Sequence, residues 1–145
     1  MMLSAILKNK PAAVISVHPD ASITSVVKLL GEKRIGAVLV IDAEERLVGI
    51  LSERDIVRML NTHAAATLDM TVAQLMTPSP TVTSPEATVV EAMQIMTDGR
   101  FRHLPVVSGG KLVGLVSIGD VVKARIDQQA HEVDSLRAYV VGAVA

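Results

Sequence analysis

Two nine-residue stretches carry the residues best suited to chemistry. Gly49 to Val57 reads GILSERDIV, and Gly114 to Val122 reads GLVSIGDVV. Each holds Ser-x-x-Asp, as Ser52 with Asp55 and as Ser117 with Asp120. At a helix start this pattern has two uses. One is structural: the hydroxyl and the carboxylate cap each other's backbone N–H groups, and the negative charge sits at the positive end of the helix. The other is recognition. A helix start with free N–H groups and a hydroxyl suits an anion. An ionised carboxylate one turn further on is a pure acceptor with two oxygens, able to take both hydrogen bonds of a ribose 2′,3′-diol. Gly49 and Gly114, ahead of each motif, let a flat ring approach the backbone.

Other chemistry is poorly served. The chain has no cysteine, which removes disulfides and thiolate metal sites and suits a reducing compartment. His18, His63, His103 and His131 form no short-spaced cluster with carboxylates, so no metal site is expected. No Ser–His pair is evident, and catalysis needs an activated nucleophile or a placed acid and base. Phe101 and Tyr139 are the only aromatics, and 14 basic residues face 15 acidic ones. Base stacking and attraction of a polyanion are both disfavoured, so no nucleic-acid partner is expected. No apolar run approaches the roughly 20 residues of a membrane helix, and the N-terminus lacks the pattern of a secretory signal. We expect a cytoplasmic protein with no membrane partner.

The elements around the motifs are also written twice. Leu47 to Val57 matches Leu112 to Val122 at six of eleven positions. Upstream, Val17 to Leu30 aligns with Thr83 to Met96, and Gly36 to Ile41 with Arg102 to Val107. The one-residue slip falls in the turns at 42–45 and 108–110, where an insertion is easily absorbed. Each copy reads as a short strand, a helix with an apolar stripe, two strands joined by a tight turn, and a helix starting at the Ser-x-x-Asp motif. Ser22 and Thr88 stand at N-cap positions of the first helices. Thr71 to Met76 suggests a short helix in the connector, and 131–142 a continuation of the last helix with Val133, Leu136 and Val140 on one face. The fold expected is mixed α/β (α+β): two pseudo-twofold-related β-α-β-β-α repeats packed sheet to sheet, spanning 1–66 and 67–129, with a C-terminal helical tail over 130–145.

GILSERD and GLVSIGD resemble the Gly-h-h-Thr/Ser-x-x-Asp motif, h being apolar, of tandem cystathionine-β-synthase-type (CBS) domain pairs, also called Bateman modules. FRHLPVV (Phe101 to Val107) and the repeated unit agree with that family over residues 11–127. The chain is similar to small stand-alone bacterial proteins built of one such pair. The resemblance implies an adenosine-containing ligand between the repeats: AMP first, then ADP, ATP or NAD(H). It implies that Asp55 and Asp120 hold ribose hydroxyls, with Ser52 and Ser117 near the ribose or 5′ phosphate. The stretches Ile15 to His18, with Val17, and Val82 to Pro85, with Ser84, would line adenine. The strand entries, Arg34, Ile35 and Gly36 in copy one and Arg102, His103, Leu104 and Pro105 in copy two, would complete the sites.

The copies are not equivalent. Arg102 and His103 stand where copy one has Gly36 and Ala37, while Arg54 stands where copy two has Gly119. A planar guanidinium suits a phosphate, so we expect the Asp120 site to grip phosphate better and the Asp55 site to rely on Arg54. The expected function is regulatory: a non-catalytic nucleotide sensor, dimeric as family members are, signalling to an effector protein in trans. Two alternatives stand beside it. One is a dimeric scaffold in which Ser-x-x-Asp only caps helices. The other is a sensor of S-adenosylmethionine, whose sulfonium would sit poorly beside Arg54 and Arg102.

Overall fold

The computed structural model describes residues 1–10 and 14–144, with side chains to residue 142. Residues 11–13 and 145, at the ends of spans read from the sequence, lie outside the described residues. The chain opens with a helix that the sequence reading leaves unassigned, α1 (Leu3–Lys8). The first repeat follows as β1 (Ser16–Val17), α2 (Ile23–Lys33), β2 (Ala37–Ile41), β3 (Leu47–Ser52) and α3 (Glu53–His63). A 3₁₀ segment (Ala64–Asp69) and the four-residue α4 (Val72–Leu75) lead on. The second repeat comprises β4 (Thr77–Pro78), α5 (Val89–Gly99), β5 (His103–Ser108), β6 (Lys111–Ser117) and α6 (Ile118–Val144). The chain is thus a mixed α/β fold of two repeats with a long C-terminal helix; the expected tail is the far half of α6, unbroken over 27 residues.

Local chemistry sets the helix ends. Ser22 Oγ accepts from Ser25 N at 3.1 Å. Thr88 Oγ1 accepts from Glu91 N at 3.1 Å, and the Glu91 carboxylate accepts from Thr88 N at 3.2 Å. At their other ends α2 and α5 close on Arg34 and Arg100, both left-handed with φ of 54° and 55°.

The sheets are unequal. The three strands of repeat one are joined by β4 of the second in the order β1-β2-β3-β4, with β1 parallel to β2 and the other pairs antiparallel. Repeat two pairs only β5 with β6. Its expected first strand is reduced to one parallel bridge, Thr83 to Val106, held by Thr83 N to Pro105 O at 3.0 Å and Val107 N to Thr83 O at 2.8 Å. Pro80 and Pro85 bracket that segment and offer no N–H to a longer ladder.

Each repeat has its own core, and each core is completed by a segment lying ahead of the other repeat. Fully buried Leu3 packs with Val89, Met96, Leu104 and Val116 of repeat two. Val72 and Leu75 pack with Ile23, Val26, Leu30 and Leu51 of repeat one. Backbone bonds fix both exchanges: Leu3 N to Ala87 O and Ile23 N to Met70 O, each 2.9 Å. The glycines ahead of the motifs serve this crossing. A Cβ on Gly114 would stand 2.5 Å from Leu7 Cδ2, and one on Gly49 2.5 Å from the Met76 sulfur. The close neighbour in each case is a side chain of the crossing segment, and Gly114 also lines the cleft beside Asp120.

Candidate functional site

The two motifs fold alike because each apolar strand ends in a serine that caps the next helix. Ser52 Oγ accepts from Asp55 N at 3.3 Å and Asp55 Oδ2 accepts from Ser52 N at 2.8 Å. Ser117 Oγ accepts from Asp120 N at 3.1 Å and Asp120 Oδ2 accepts from Ser117 N at 2.8 Å. The capping role is therefore real in both copies. It uses one carboxylate oxygen of each aspartate; among the described residues Oδ1 of both accepts no hydrogen bond. The next N–H in each helix is also engaged, Glu53 N with Gly36 O at 2.9 Å and Ile118 N with Arg102 O at 2.8 Å. These helix starts consequently offer an anion less than their sequence suggests.

Both aspartates face clefts between the repeats. A cleft of about 400 Å³ joins Ser117 and Asp120 to Ile15, Arg34, Ile35 and Gly36. A second, of about 310 Å³, joins Ser52, Arg54 and Asp55 to Thr81, Arg100, Phe101 and Arg102. Each cleft takes its Ser-x-x-Asp motif from one repeat and its opposite wall from the other. Gly36 and His103 line both. A Cβ on Gly36 would lie 3.3 Å from the His103 ring, which would have to shift by a few tenths of an ångström to admit it.

Eleven of the expected residues meet in the clefts: Ile15, Arg34, Ile35, Gly36, Ser52, Arg54, Asp55, Arg102, His103, Ser117 and Asp120. Six stand elsewhere. Leu104 is fully buried in the second core, and buried Pro105 pairs with Leu115. Strand alternation explains Leu104, since His103 faces the cleft and its neighbour must face inward. Val17 packs on the first core, Ser84 sits half-buried in a turn, and His18 and Val82 are exposed. The allocation of Arg102 is corrected. The sequence reading gives it to the Asp120 site, whereas the fold sets it across from Asp55. A strand entry serves the cleft of the other repeat's motif, so alignment within one copy pairs the wrong partners.

The sequence reading also misses Lys10. Its ammonium lies 2.8 Å from Asp120 Oδ2 and 2.8 Å from the carbonyl of Leu115. The two residues are 110 positions apart, and no spacing signal could join them. Burial pushes the Asp120 carboxyl up, but the Lys10 ammonium and the Ser117 hydrogen bonds outweigh it, and its pKa falls below the ordinary carboxylate value. Burial lowers the His103 imidazole below its usual value, with Lys10 and Arg102 acting in the same sense and Glu53 and Asp120 opposing. No group of His, Asp or Glu able to hold a metal ion occurs among the described residues.

Comparison with known proteins agrees with this architecture. The CBS domain family matches residues 10–62 and 72–127. The mitochondrial CBS domain-containing protein CBSX3 of Arabidopsis thaliana is 38% identical over 128 residues, covering 85% of this chain, which spans 62% of that protein's length. The crystal structure of the CBS-domain protein ATU1752 from Agrobacterium tumefaciens superposes with a TM-score of 0.83 at 42% identity, covering 86% of this chain and 92% of that one. PAE2072 of Pyrobaculum aerophilum, a CBS domain protein solved in complex with AMP, gives a TM-score of 0.74 at 28% identity over 83% of this chain and 89% of its own. Two matched repeats, each ending its last strand in the serine of Ser-x-x-Asp beside an inter-repeat cleft, make this chain a tandem pair belonging to the CBS domain family.

Proposed function

We propose that the chain is a regulatory adenine-nucleotide sensor. The observation that carries this reading is the free Oδ1 of Asp55 and Asp120, each beside a cleft closed by the opposite repeat. A carboxylate with one oxygen fixed by its own helix is oriented, and its other oxygen can accept from a ribose diol. The AMP complex of the related PAE2072 supports the same ligand class, with AMP first and ADP, ATP or NAD(H) behind it. Catalysis forms no part of the reading, because both serine hydroxyls serve as helix caps. Binding would favour one arrangement of a homodimer, and an effector protein would read the changed surface in the cytoplasm.

The test is a thermal-shift and calorimetry panel with AMP, ADP, ATP, NAD+, NADH, GMP and S-adenosylmethionine. A ligand at about 100 times its Kd adds roughly 2.7 kcal/mol and raises the melting point by several degrees. Stabilisation by adenine nucleotides and not by GMP supports the sensor. A second reading, a scaffold whose motifs are caps alone, is favoured by the complete capping geometry at Ser52 and Ser117. It requires that none of these ligands shift the melting point at millimolar concentration.

A further inference from the structure

We propose that the two clefts divide the adenine nucleotides by phosphate number: the Asp55 cleft takes the di- and triphosphates, and the Asp120 cleft takes the monophosphate. The proposal rests on the nucleotide reading above and gives each site its ligand class.

The Asp55 cleft is lined by four arginines, Arg54, Arg58, Arg100 and Arg102, against two carboxylates, Glu53 and Asp55. Among the described residues none of the four takes part in an ion pair. All four line the cleft and are exposed to solvent. A terminal phosphate offers three acceptor oxygens, and one bidentate guanidinium occupies two of them. Four guanidiniums carry more positive charge than the roughly two negative charges of a monophosphate, while a diphosphate or triphosphate chain brings further charge and oxygens to them. Arg54 and Arg58 stand one turn apart on α3, on the same helix face, and so can follow a chain of phosphates.

The Asp120 cleft lacks this set. The counterparts of Arg54, Arg58 and Arg102 are Gly119, Lys123 and Gly36, and Lys123 does not line the cleft. Its cations are Arg34 and Lys10, and the Lys10 ammonium is engaged by Asp120 at 2.8 Å. One unengaged guanidinium matches one phosphate. A left-handed arginine stands at both sites, Arg34 here and Arg100 there. A left-handed residue without glycine's freedom is strained, and both repeats hold an arginine in that state at a cleft wall.

Calorimetry on the full chain in EDTA, so that no magnesium shields the phosphates, tests the division. Asp120→Asn leaves the Asp55 cleft intact, and Asp55→Asn leaves the other; asparagine retains an acceptor for the helix cap. Charge-assisted contacts to the added phosphates predict at least about a tenfold preference for ATP over AMP in the Asp120→Asn chain. A ratio near one is expected in the Asp55→Asn chain. Adding Arg58→Gln and Arg102→Gln to Asp120→Asn must bring its ratio toward one. Equal ratios in the two single variants, or a ratio that survives loss of the arginines, overturns the proposal while leaving the sensor intact. Failure of AMP, ADP and ATP alike to bind the wild type overturns the division, and failure of NAD+ and NADH as well overturns the sensor reading. Should the asparagine variants unfold, salt dependence of the wild type decides. Affinity for ATP must then fall more steeply than affinity for AMP between 50 mM and 500 mM salt, and parallel slopes overturn the division.

Discussion

Asp120 shows how one side chain serves the fold and a cleft together. Its Oδ2 closes the cap on α6 and holds the Lys10 ammonium, and its Oδ1 is left for a ligand. Because its folded pKa lies below the unfolded value near 3.8, its contribution is complete above that value and is lost as pH falls through the folded pKa. We expect the melting-point gap between wild type and Asp120→Asn to narrow as pH is lowered below about 4. Scanning calorimetry across acid buffers checks it, and a gap that widens in acid excludes the Lys10 pairing. His103 has the same proton balance in a higher pH range. The groups that face it are Glu53, Lys10, Asp120 and Arg102, and its folded pKa is below 6.5. As pH falls through 6.5 the unfolded chain takes up a proton that the folded chain refuses, so stability declines; His103→Gln abolishes this slope. A phosphate beside the ring would raise its pKa. Nucleotide affinity is then expected to rise from pH 8 to pH 6, with proton uptake visible as a buffer-dependent heat of binding.

At the scale of elements, the caps and the crossing segments can be separated from binding by mutation. Arg100 ends α5 in a left-handed turn, a conformation about 1–2 kcal/mol unfavourable for a residue with a Cβ. Glycine relieves that strain while adding roughly 0.4–1 kcal/mol of unfolded-state entropy. Arg100→Gly is therefore expected to leave the melting point unchanged or to raise it slightly, while weakening nucleotide binding. A fall in both would mean that the side chain holds the fold. Helix α1 offers the converse case. Leu3 is fully buried in the second repeat, so Leu3→Ala should destabilise the chain by about 3 kcal/mol, the usual loss for a large aliphatic side chain in a core. Chemical denaturation measures it. A loss below about 1 kcal/mol would show that α1 does not dock as described.

The whole molecule leaves apolar side chains uncovered. Val57 and Leu60 on α3 are 64% and 39% exposed, and Val122 and Ile126 on α6 are 38% and 59% exposed. Farther along α6, Leu136, Tyr139 and Val141 are 62%, 74% and 68% exposed. The homodimer proposed above would cover such a surface, since self-complementary apolar patches favour twofold pairing. Sedimentation should give a dimer for the wild type and a monomer for Val57→Asp combined with Ile126→Asp. A dimer that survives both charges places the interface elsewhere.

Much of this was legible in the order of residues. The repeat, its element order, the caps at Ser22, Ser52, Thr88 and Ser117, and both motif aspartates follow from local patterns, because turn chemistry and strand or helix periodicity act over a few residues. Local patterns do not reach across the fold. Only the tertiary structure set Lys10 on Asp120, moved Arg102 from the Asp120 site to the Asp55 cleft, and exchanged α1 and α4 between the cores. Each of these joins residues far apart in the chain that meet because two small, apolar-faced repeats must close on each other, and burial of that face does not depend on sequence distance. The sequence by itself determined two half-modules, each with a serine and an aspartate at a helix start; packing one against the other decided which arginines each aspartate would face.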